Sequence, residues 1–414
     1  MKKVNRWLYV AVGVAVLLCA GMVYAWSVLS GPIAAEFSQW SAAQLSMTFT
    51  LVMIFFCLGG LAGGAVAGRV SQKVYLWVAA ALFLAGFLLS SRVQTLWGLY
   101  LSFGVVCGFA SGIAYNAVLA TVGKWFPDKP GLISGILLMG FGISSFLIGK
   151  VYQRFTPDTV GAWRHSFAVL GVATAACVGL CGFFLERPGA DFVPPAAARK
   201  RTAANPAAME AHTAVMVRQP IFWLFYLWAV LLSGAGLALV SQAGGIVREA
   251  DGAVSAATVA TVAGMISVCN GAGRVVLGGL YDRRGRGLTM QLVNGLFLLS
   301  CLLLLWALRA GSLPLLIAGF MAGGLAYGGV TPTNAAFVSS YFGMKHYALN
   351  LPVVVTNLVF ASFGSTAAGA LYDATGSFAG TCLMMGALTA VGVAATRLMG
   401  ILDKRALCQR ERSR

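Results

Sequence analysis

Apolar residues dominate long stretches of this chain, and short polar clusters interrupt them. Twelve such stretches can be drawn, at 7–29, 45–68, 74–91, 95–122, 131–150, 165–185, 220–247, 254–281, 287–309, 313–340, 348–372 and 377–401. An α-helix needs about 20 mainly apolar residues to cross a hydrocarbon core of about 30 Å. The stretches have that length. They lack the period-two alternation over about ten positions that marks a transmembrane barrel strand. The pattern predicts an all-α integral membrane protein with twelve transmembrane helices, numbered 1 to 12 below. The longest polar stretch, 186–219, holds Pro188, Pro194, Pro195, Pro206 and the run Arg199-Lys200-Arg201. Proline and charge in that density read as a flexible linker. It divides the helices six and six. The expected organisation is an N-terminal six-helix bundle over 1–187, a cytoplasmic linker over 188–218, a C-terminal six-helix bundle over 219–402, and a basic tail over 403–414.

Composition removes whole classes of function. Of 414 residues, 59% are hydrophobic and 10% charged, and the mean hydropathy is +0.83. A soluble domain carries about 25% charged residues. A cytosolic enzyme, a secreted disulfide scaffold and a disordered chain are therefore excluded. The net charge of +17 reads as positive-inside topology. With both termini cytoplasmic, 22 of the 29 Lys and Arg fall on the inner side and six on the outer side. That bias places the chain as a multi-pass protein of the cell's inner (plasma) membrane. No basic arm with interleaved aromatics points to nucleic acid. The nine cysteines are scattered without a Cys-x-x-Cys pair, so no metal and no cofactor is expected. Cys177 and Cys181, four residues apart, read as packing residues. The N-terminal apolar run is too long for a signal-peptide core and reads as an uncleaved first helix. Eight of the ten Trp fall near predicted helix ends, with Trp26 and Trp228 deeper.

One basic residue remains unassigned by topology: Arg274, inside helix 8. All twelve acidic residues sit in loops or at helix ends. Arg274 precedes Asp282 by eight residues, about 12 Å along a helix. That puts a cation near mid-membrane, at a cost of about 2.5 kcal/mol or more. Such a residue either binds an anion in a wet cavity or serves as a strut against backbone carbonyls. A guanidinium suits a carboxylate because it offers two parallel N–H donors. Tyr115 in helix 4 and Tyr327 in helix 10 can donate to a carboxylate without adding charge, or pack as aromatics. Asn116, Asn270 and Asn357 are deep and polar; they can line a cavity or hydrogen-bond between helices. Tyr24, Trp26 and Ser27 in helix 1 stand equally between cavity and core. Ser241 and Gln242 lie near the outer end of helix 7 as candidate gate residues. His165, His212 and His346 read as loop residues.

The halves echo each other. Gly149-Lys-Val-Tyr152 matches Gly369-Ala-Leu-Tyr372, Ala114-Tyr115-Asn116 matches Ala326-Tyr327-Gly328, and Gly64-x-x-x-Gly68-Arg69 matches Gly278-x-x-x-Asp282-Arg283. The offsets are 220, 212 and 214 residues, nearly constant, as a duplicated six-helix unit requires. The segment Gly278-Gly-Leu-Tyr-Asp282-Arg283-Arg-Gly285-Arg286 resembles the G-x-x-x-D-R-x-G-R loop of the major facilitator superfamily. The first-half loop is degenerate, with Gly68 and Ser71 where Asp and Gly are expected. Within that superfamily the chain resembles the oxalate/formate antiporter family, relatives of the monocarboxylate transporters. The resemblance is carried by Tyr24-Ala-Trp26-Ser27, by Tyr115 with Lys124-Trp125-Phe126-Pro127-Asp128-Lys129, by Gly135 through Gly142, and by Asn270-Gly-x-Gly273-Arg274.

The resemblance implies a major facilitator fold of two pseudo-symmetric bundles. It implies a secondary transporter, symporter or antiporter, for small organic monoanions such as formate, acetate or lactate. Arg274 would bind the carboxylate, and Tyr115, Tyr327, Asn116, Asn270, Asn357, Tyr24 and Trp26 would line the site. Asp282, Arg283 and Arg286 would act in gating. Oxalate carriers of the family add a Lys in helix 11, where this chain has Thr356, Asn357 and Leu358; that favours a monoanion over a dianion. Animal monocarboxylate transporters have an Asp four residues before the helix-8 Arg; here it is Asn270, so coupling falls to anion exchange or to a proton that travels with the substrate. The alternative cargo is a larger amphiphilic anion, bile-salt-like or drug-like, carried outward. The chain is expected to be no enzyme, since three scattered histidines supply no catalytic set, and to lack a Walker A motif for ATP-driven transport. Its expected partners are the organic anion, the lipid bilayer and, under symport, a co-transported proton. The chain is read as a monomer.

Overall fold

The computed structural model describes residues 5–40, 42–67, 69–157, 159–189, 192 and 209–412. Much of the expected linker, 193–208, lies outside them. Eleven helices among the described residues are long and apolar enough to cross a membrane. Helix 1 runs over Trp7–Glu36. Helices 2 and 3 are Ala42–Ala65 and Gln72–Ser90. Helix 4 is Leu96–Trp125, helix 5 Pro130–Phe155, helix 6 Trp163–Phe184 and helix 7 Pro220–Ala250. Helices 8 and 9 form one element, Ala256–Ala310. Helix 10 is Leu313–Phe342, helix 11 Tyr347–Thr375 and helix 12 Ala379–Arg412.

The count of eleven and the expected twelve agree once the long element is read for length. Its apolar part covers 50 residues, about 75 Å at 1.5 Å per residue, which is more than two hydrocarbon thicknesses. It turns at Gly285, where φ is 80° and ψ is −179°. Only glycine occupies that region without strain. Helix 8 therefore ends in the Asp282–Arg286 motif, and helix 9 begins there.

Among the described residues, three further helices depart from regular α-geometry. Helix 1 tightens into a 3-10 turn over Gly21–Ala25. There a Cβ on Gly21 would collide with the Phe141 carbonyl, so helix 5 presses directly on the turn. Helix 4 widens into a π-turn over Tyr100–Cys107. Helix 11 breaks at Thr356 between Tyr347–Val355 and Asn357–Ala361. Pro352 lies four residues before the break and cannot donate to the preceding turn. Helices 1 and 12 run several residues beyond their expected ends. Glu, Asp, Lys and Arg at those ends leave the apolar pattern without terminating a helix.

The chain divides into two compact units. Unit 1 comprises Met1–Pro127, Ile136–Val193 and Leu351–Val353; unit 2 comprises Asp128–Gly135, Pro194–Asn350 and Val354–Arg414. The first turns of helix 5 thus pack with unit 2. The core of unit 1 is aromatic: Phe87, Phe103 and Phe167 are buried, with ring centroids 5.6–5.9 Å apart. In unit 2, Phe225 stacks on Phe337 at 3.8 Å. Trp228 donates its indole N–H to Asn294 Oδ1 (2.8 Å), and Asn294 donates to Thr396 Oγ1 (3.1 Å). Buried polar atoms across helices 7, 9 and 12 are thereby paired, as an apolar surround demands. Large apolar side chains such as Trp97, Leu180, Val276 and Trp306 face outward, which suits contact with lipid rather than water.

Candidate functional site

Within unit 2, the helix-8 turn that carries Arg274 is held from two sides by glycine contacts. A Cβ on Gly135 of helix 5 would collide with the Arg274 carbonyl, and one on Gly328 of helix 10 with the Asn270 carbonyl. Gly273 presses in turn on the Leu325 carbonyl. Three backbones meet without side chains between them, so residues 270–274 cannot rotate or slide without a collision. On that clamped turn Arg274 is half-buried. Its Nε donates to Asn270 Oδ1 at 2.9 Å. The spacing of four residues puts both on one helix face. Asn270 is buried and neutral. It fixes the guanidinium plane without cancelling its charge.

Tyr327 joins this cluster. It lies within electrostatic range of Arg274, and its ring covers Gly236 of helix 7, where a Cβ would strike it. Helix 7 therefore supplies a flat seat for the ring. Asn357 does not join. It is fully buried, gives its Nδ2 to the Val354 carbonyl (2.7 Å) and accepts from Ser233 Oγ (3.4 Å). Its amide mends the broken turn of helix 11. Beside it, Tyr226 and Thr356 share a hydrogen bond of 2.8 Å. This second polar pair joins helices 7 and 11. Sequence reasoning missed Tyr226, although Tyr226 and Ser233 stand seven residues apart on one helix face, a spacing that polar residues lining a cavity share. Ser241 donates to the Ala238 carbonyl within its own helix.

In unit 1 the expected site residues are mostly tied into packing. Trp26 is buried, donates its indole N–H to the Leu45 carbonyl (3.0 Å) and lies 4.8 Å from the Phe103 ring. Asn116 gives Nδ2 to the Gly60 carbonyl (3.1 Å), binding helix 4 to helix 2. Tyr115 sets its ring edge against Phe56 (5.1 Å) and Phe141 (5.4 Å). The side chains of Tyr24 and Ser27 lie outside the described residues.

The motif after helix 8 divides into held and exposed residues. Asp282 accepts from the backbone N–H groups of Gly131 (2.9 Å) and Leu132 (2.7 Å). A carboxylate there satisfies the first donors of helix 5 and meets the positive end of its dipole. Arg286 is buried; its Nη2 pairs with Asp403 Oδ2 (2.5 Å), and its Nε donates to the Tyr341 hydroxyl (3.0 Å). Arg283 is exposed. At the helix 10–11 turn, His346 lies 6.2 Å from His212, ring centre to ring centre. The cysteines among the described residues are free thiols.

A family model described as "Major Facilitator Superfamily" matches residues 10–348. The chain is 27% identical over 357 residues to an uncharacterised MFS-type transporter, YhjX, of Escherichia coli strain K12, covering 84% of each chain. It is 25% identical over 362 residues to the oxalate:formate antiporter of Oxalobacter formigenes, covering 86% of this chain and 83% of that one. Among solved structures it resembles the proton:xylose symporter XylE, with a TM-score of 0.73 at 14% identity, over 95% of this chain and 96% of the other.

Proposed function

The chain belongs to the major facilitator superfamily, and on that premise we propose that it carries small organic monoanions with Arg274 as the carboxylate anchor. It is a membrane transporter; the cargo, the anchor and the coupling are our reading. One observation carries that reading: a guanidinium within a membrane span, oriented by a neutral amide on a clamped turn. A cation kept there costs about 2.5–3.5 kcal/mol on insertion scales. A carboxylate brought by the substrate offsets that cost and gains a charge-assisted hydrogen bond. The similarity to an oxalate:formate antiporter supports an anionic cargo. Helix 11 of this chain has no basic residue between Leu351 and Leu371, which supports one carboxylate rather than two.

The reading is supported by the Asn270 contact, which orients the guanidinium through Nε. In it the carboxylate of the substrate meets the guanidinium, and Tyr327 is the proposed neutral donor beside it. Tyr115 of the N-terminal half is the proposed counterpart of Tyr327 by their matched places in the two halves of the sequence; Asn116, Asn357 and Trp26 act through the packing of their own helices. The halves, 1–187 and 219–402 joined by 188–218, alternate access around the site. The Asp282 grip on the first turn of helix 5 breaks and re-forms in each cycle. Arg286 stays anchored by Asp403, and Arg283 moves with solvent. The excess of basic residues on one side supports termini that both face the cytoplasm.

Two couplings fit a site whose anchor is paired with an amide: exchange of one anion for another, and entry of the anion with a proton. Reconstituted vesicles separate them. Vesicles preloaded with formate, acetate or lactate should take up the labelled anion faster than empty ones if exchange operates. An imposed pH gradient should drive uptake into empty vesicles if a proton accompanies the anion. The reading itself is tested by thermal unfolding against formate, acetate, lactate, oxalate and a bile acid, for wild type and Arg274→Ala. A ligand at a hundredfold excess over Kd stabilises its protein by about 2.7 kcal/mol. Stabilisation of wild type alone by small monocarboxylates supports the reading. Stabilisation by the bile acid only, or equally in the variant, overturns it.

A further inference from the structure

Unit 1 carries a second basic cluster, far along helix 4 from Tyr115, that the transport reading does not use. Gln72 at the start of helix 3 and Thr121 near the end of helix 4 are both buried. With the Gln72 amide oriented to suit its neighbours, its nitrogen donates to Thr121 Oγ1 (2.7 Å). Its oxygen then accepts from Arg187 Nε (3.1 Å) and from Arg187 Nη2. Just before Arg187, the Glu186 carbonyl accepts from Trp125 Nε1 (2.8 Å), and the Glu186 carboxylate pairs with Lys73 Nζ (2.9 Å). The chain leaving helix 6 is thus tied to helices 3 and 4 at three points, and Arg187 is held rather than trailing in solvent.

Lys124 follows Thr121 by three residues, on the same face of helix 4. Arg187 acts electrostatically on it. Both side chains are half-buried. The nearby carboxylate, Glu186, is turned to Lys73, and among the described residues no carboxylate pairs with Lys124. Two half-buried cations within electrostatic reach repel each other, and an anion between them removes the repulsion. Aromatic residues border the cluster. Arg6 donates to the Trp125 carbonyl (3.4 Å) and lies 4.4 Å over the Phe126 ring. Tyr9 stacks on Trp125 at 4.5 Å, and Trp7 is 43% exposed against Phe126. Tryptophan and tyrosine in this arrangement mark the headgroup level of a bilayer.

We propose that Lys124 and Arg187, with Arg6 at the rim, bind an anionic phosphate group at the membrane surface, supplied by a lipid headgroup or by free phosphate. The Arg187 fork suits two phosphate oxygens, and Lys124 adds a point charge. Basic pockets between transmembrane helices take phosphate headgroups in this way. Bound there, the phosphate ties the ends of helices 3, 4 and 6 together at the point where the linker begins.

The test is thermal unfolding of the purified full-length protein in a neutral detergent. The probes are dihexanoylphosphatidylglycerol, dihexanoylphosphatidylcholine and sodium phosphate, at equal ionic strength. The proposal expects phosphatidylglycerol to raise the wild-type Tm by about 3–6 °C and phosphatidylcholine to leave it unchanged. Lys124→Gln/Arg187→Gln should abolish the rise, and Lys124→Arg/Arg187→Lys should retain part of it. Arg69→Gln, an exposed change outside the cluster, should keep all of it. Lys124→Gln alone leaves the Gln72–Thr121–Arg187 network in place, and should weaken the apparent affinity at least threefold, by order of magnitude. It serves as the test if the double variant does not fold. A rise with sodium phosphate equal to that with the lipid supports the same site with free phosphate as its ligand; a rise with the lipid alone assigns a headgroup. No rise with either, an equal rise with phosphatidylcholine, or an undiminished rise in both Lys124 variants overturns the proposal.

Discussion

At the scale of single residues, the contact between Arg274 and Asn270 organises the candidate site. Arg274→Lys keeps the charge but loses the planar fork and the Nε donor to Asn270. It should weaken monocarboxylate binding about tenfold or more, the equivalent of one charge-assisted hydrogen bond, read as a shift in the ligand dependence of Tm. Asn270→Asp makes a sharper prediction. An ionised carboxylate in place of the amide pairs with the guanidinium and competes with the substrate. Lowering the pH protonates the new carboxyl and removes that competition. Uptake by Asn270→Asp should therefore be weak at neutral pH and rise as pH falls, with a steeper dependence than in wild type. An identical pH profile in the two proteins means that residue 270 does not govern the charge of Arg274.

At the scale of elements, close backbone approach sets the geometry. Gly236 gives the Tyr327 ring its seat, and a Cβ would overlap the ring. Gly236→Ala should displace Tyr327 and cost about 1–3 kcal/mol of stability, as overpacking does elsewhere. Substrate affinity should fall with it, while Tyr327→Phe in the same background should add little further loss. Gly285 is the hinge between helices 8 and 9, at φ 80°. Gly285→Ala forces a side chain into a region reserved for glycine, at about 1–3 kcal/mol, and should lower Tm without changing the ligand order. The breaks in helices 1 and 11 have different surroundings. The helix-1 turn is pressed by helix 5 at Gly21. The helix-11 break at Thr356 follows a helix that contains Pro352, and the Asn357 amide satisfies the Val354 carbonyl there.

At the scale of the whole molecule, ion pairs and caps hold each unit's ends. Outside the bundle core of unit 1, Glu36 accepts from Arg164 Nη2 (2.6 Å) and Trp163 Nε1 (2.7 Å), joining the ends of helices 1 and 6. In unit 2, Glu249 accepts from the Phe378 N–H (2.6 Å) at the start of helix 12. The Arg286–Asp403 pair joins helix 9 to helix 12, and Tyr341 of helix 10 donates to the same carboxylate oxygen (2.8 Å). Asp403→Asn leaves a buried guanidinium without its counter-charge, at a cost of about 3–5 kcal/mol. Replacing both partners, as Arg286→Met with Asp403→Leu, should recover much of that loss. Chemical denaturation of the two variants and wild type measures the difference. If the double variant is no more stable than Asp403→Asn, the pair contributes through geometry rather than charge.

The sequence alone determined the class of fold, because length and polarity of the apolar stretches respond directly to the bilayer. It separated helices 8 and 9 at the motif Asp282-Arg283-Arg-Gly285-Arg286, whose turn the structure then placed at Gly285, and it singled out Arg274 as the charge a membrane would not keep without a reason. Helix periodicity placed Asn270 on the same face as Arg274. It left open whether the polar residues face a cavity or a neighbour, because a side chain's partner on another helix leaves no trace in local spacing. The tertiary structure decided that. It turned Trp26 to the Leu45 carbonyl, Asn116 to Gly60 and Asn357 to its own helix, and it brought Tyr226 to Thr356. It also gathered Gln72 of helix 3, Thr121 of helix 4 and Arg187 beyond the end of helix 6 into one network. Those pairings depend on backbones that approach only where glycine permits, and contact at that range is a property of the folded chain.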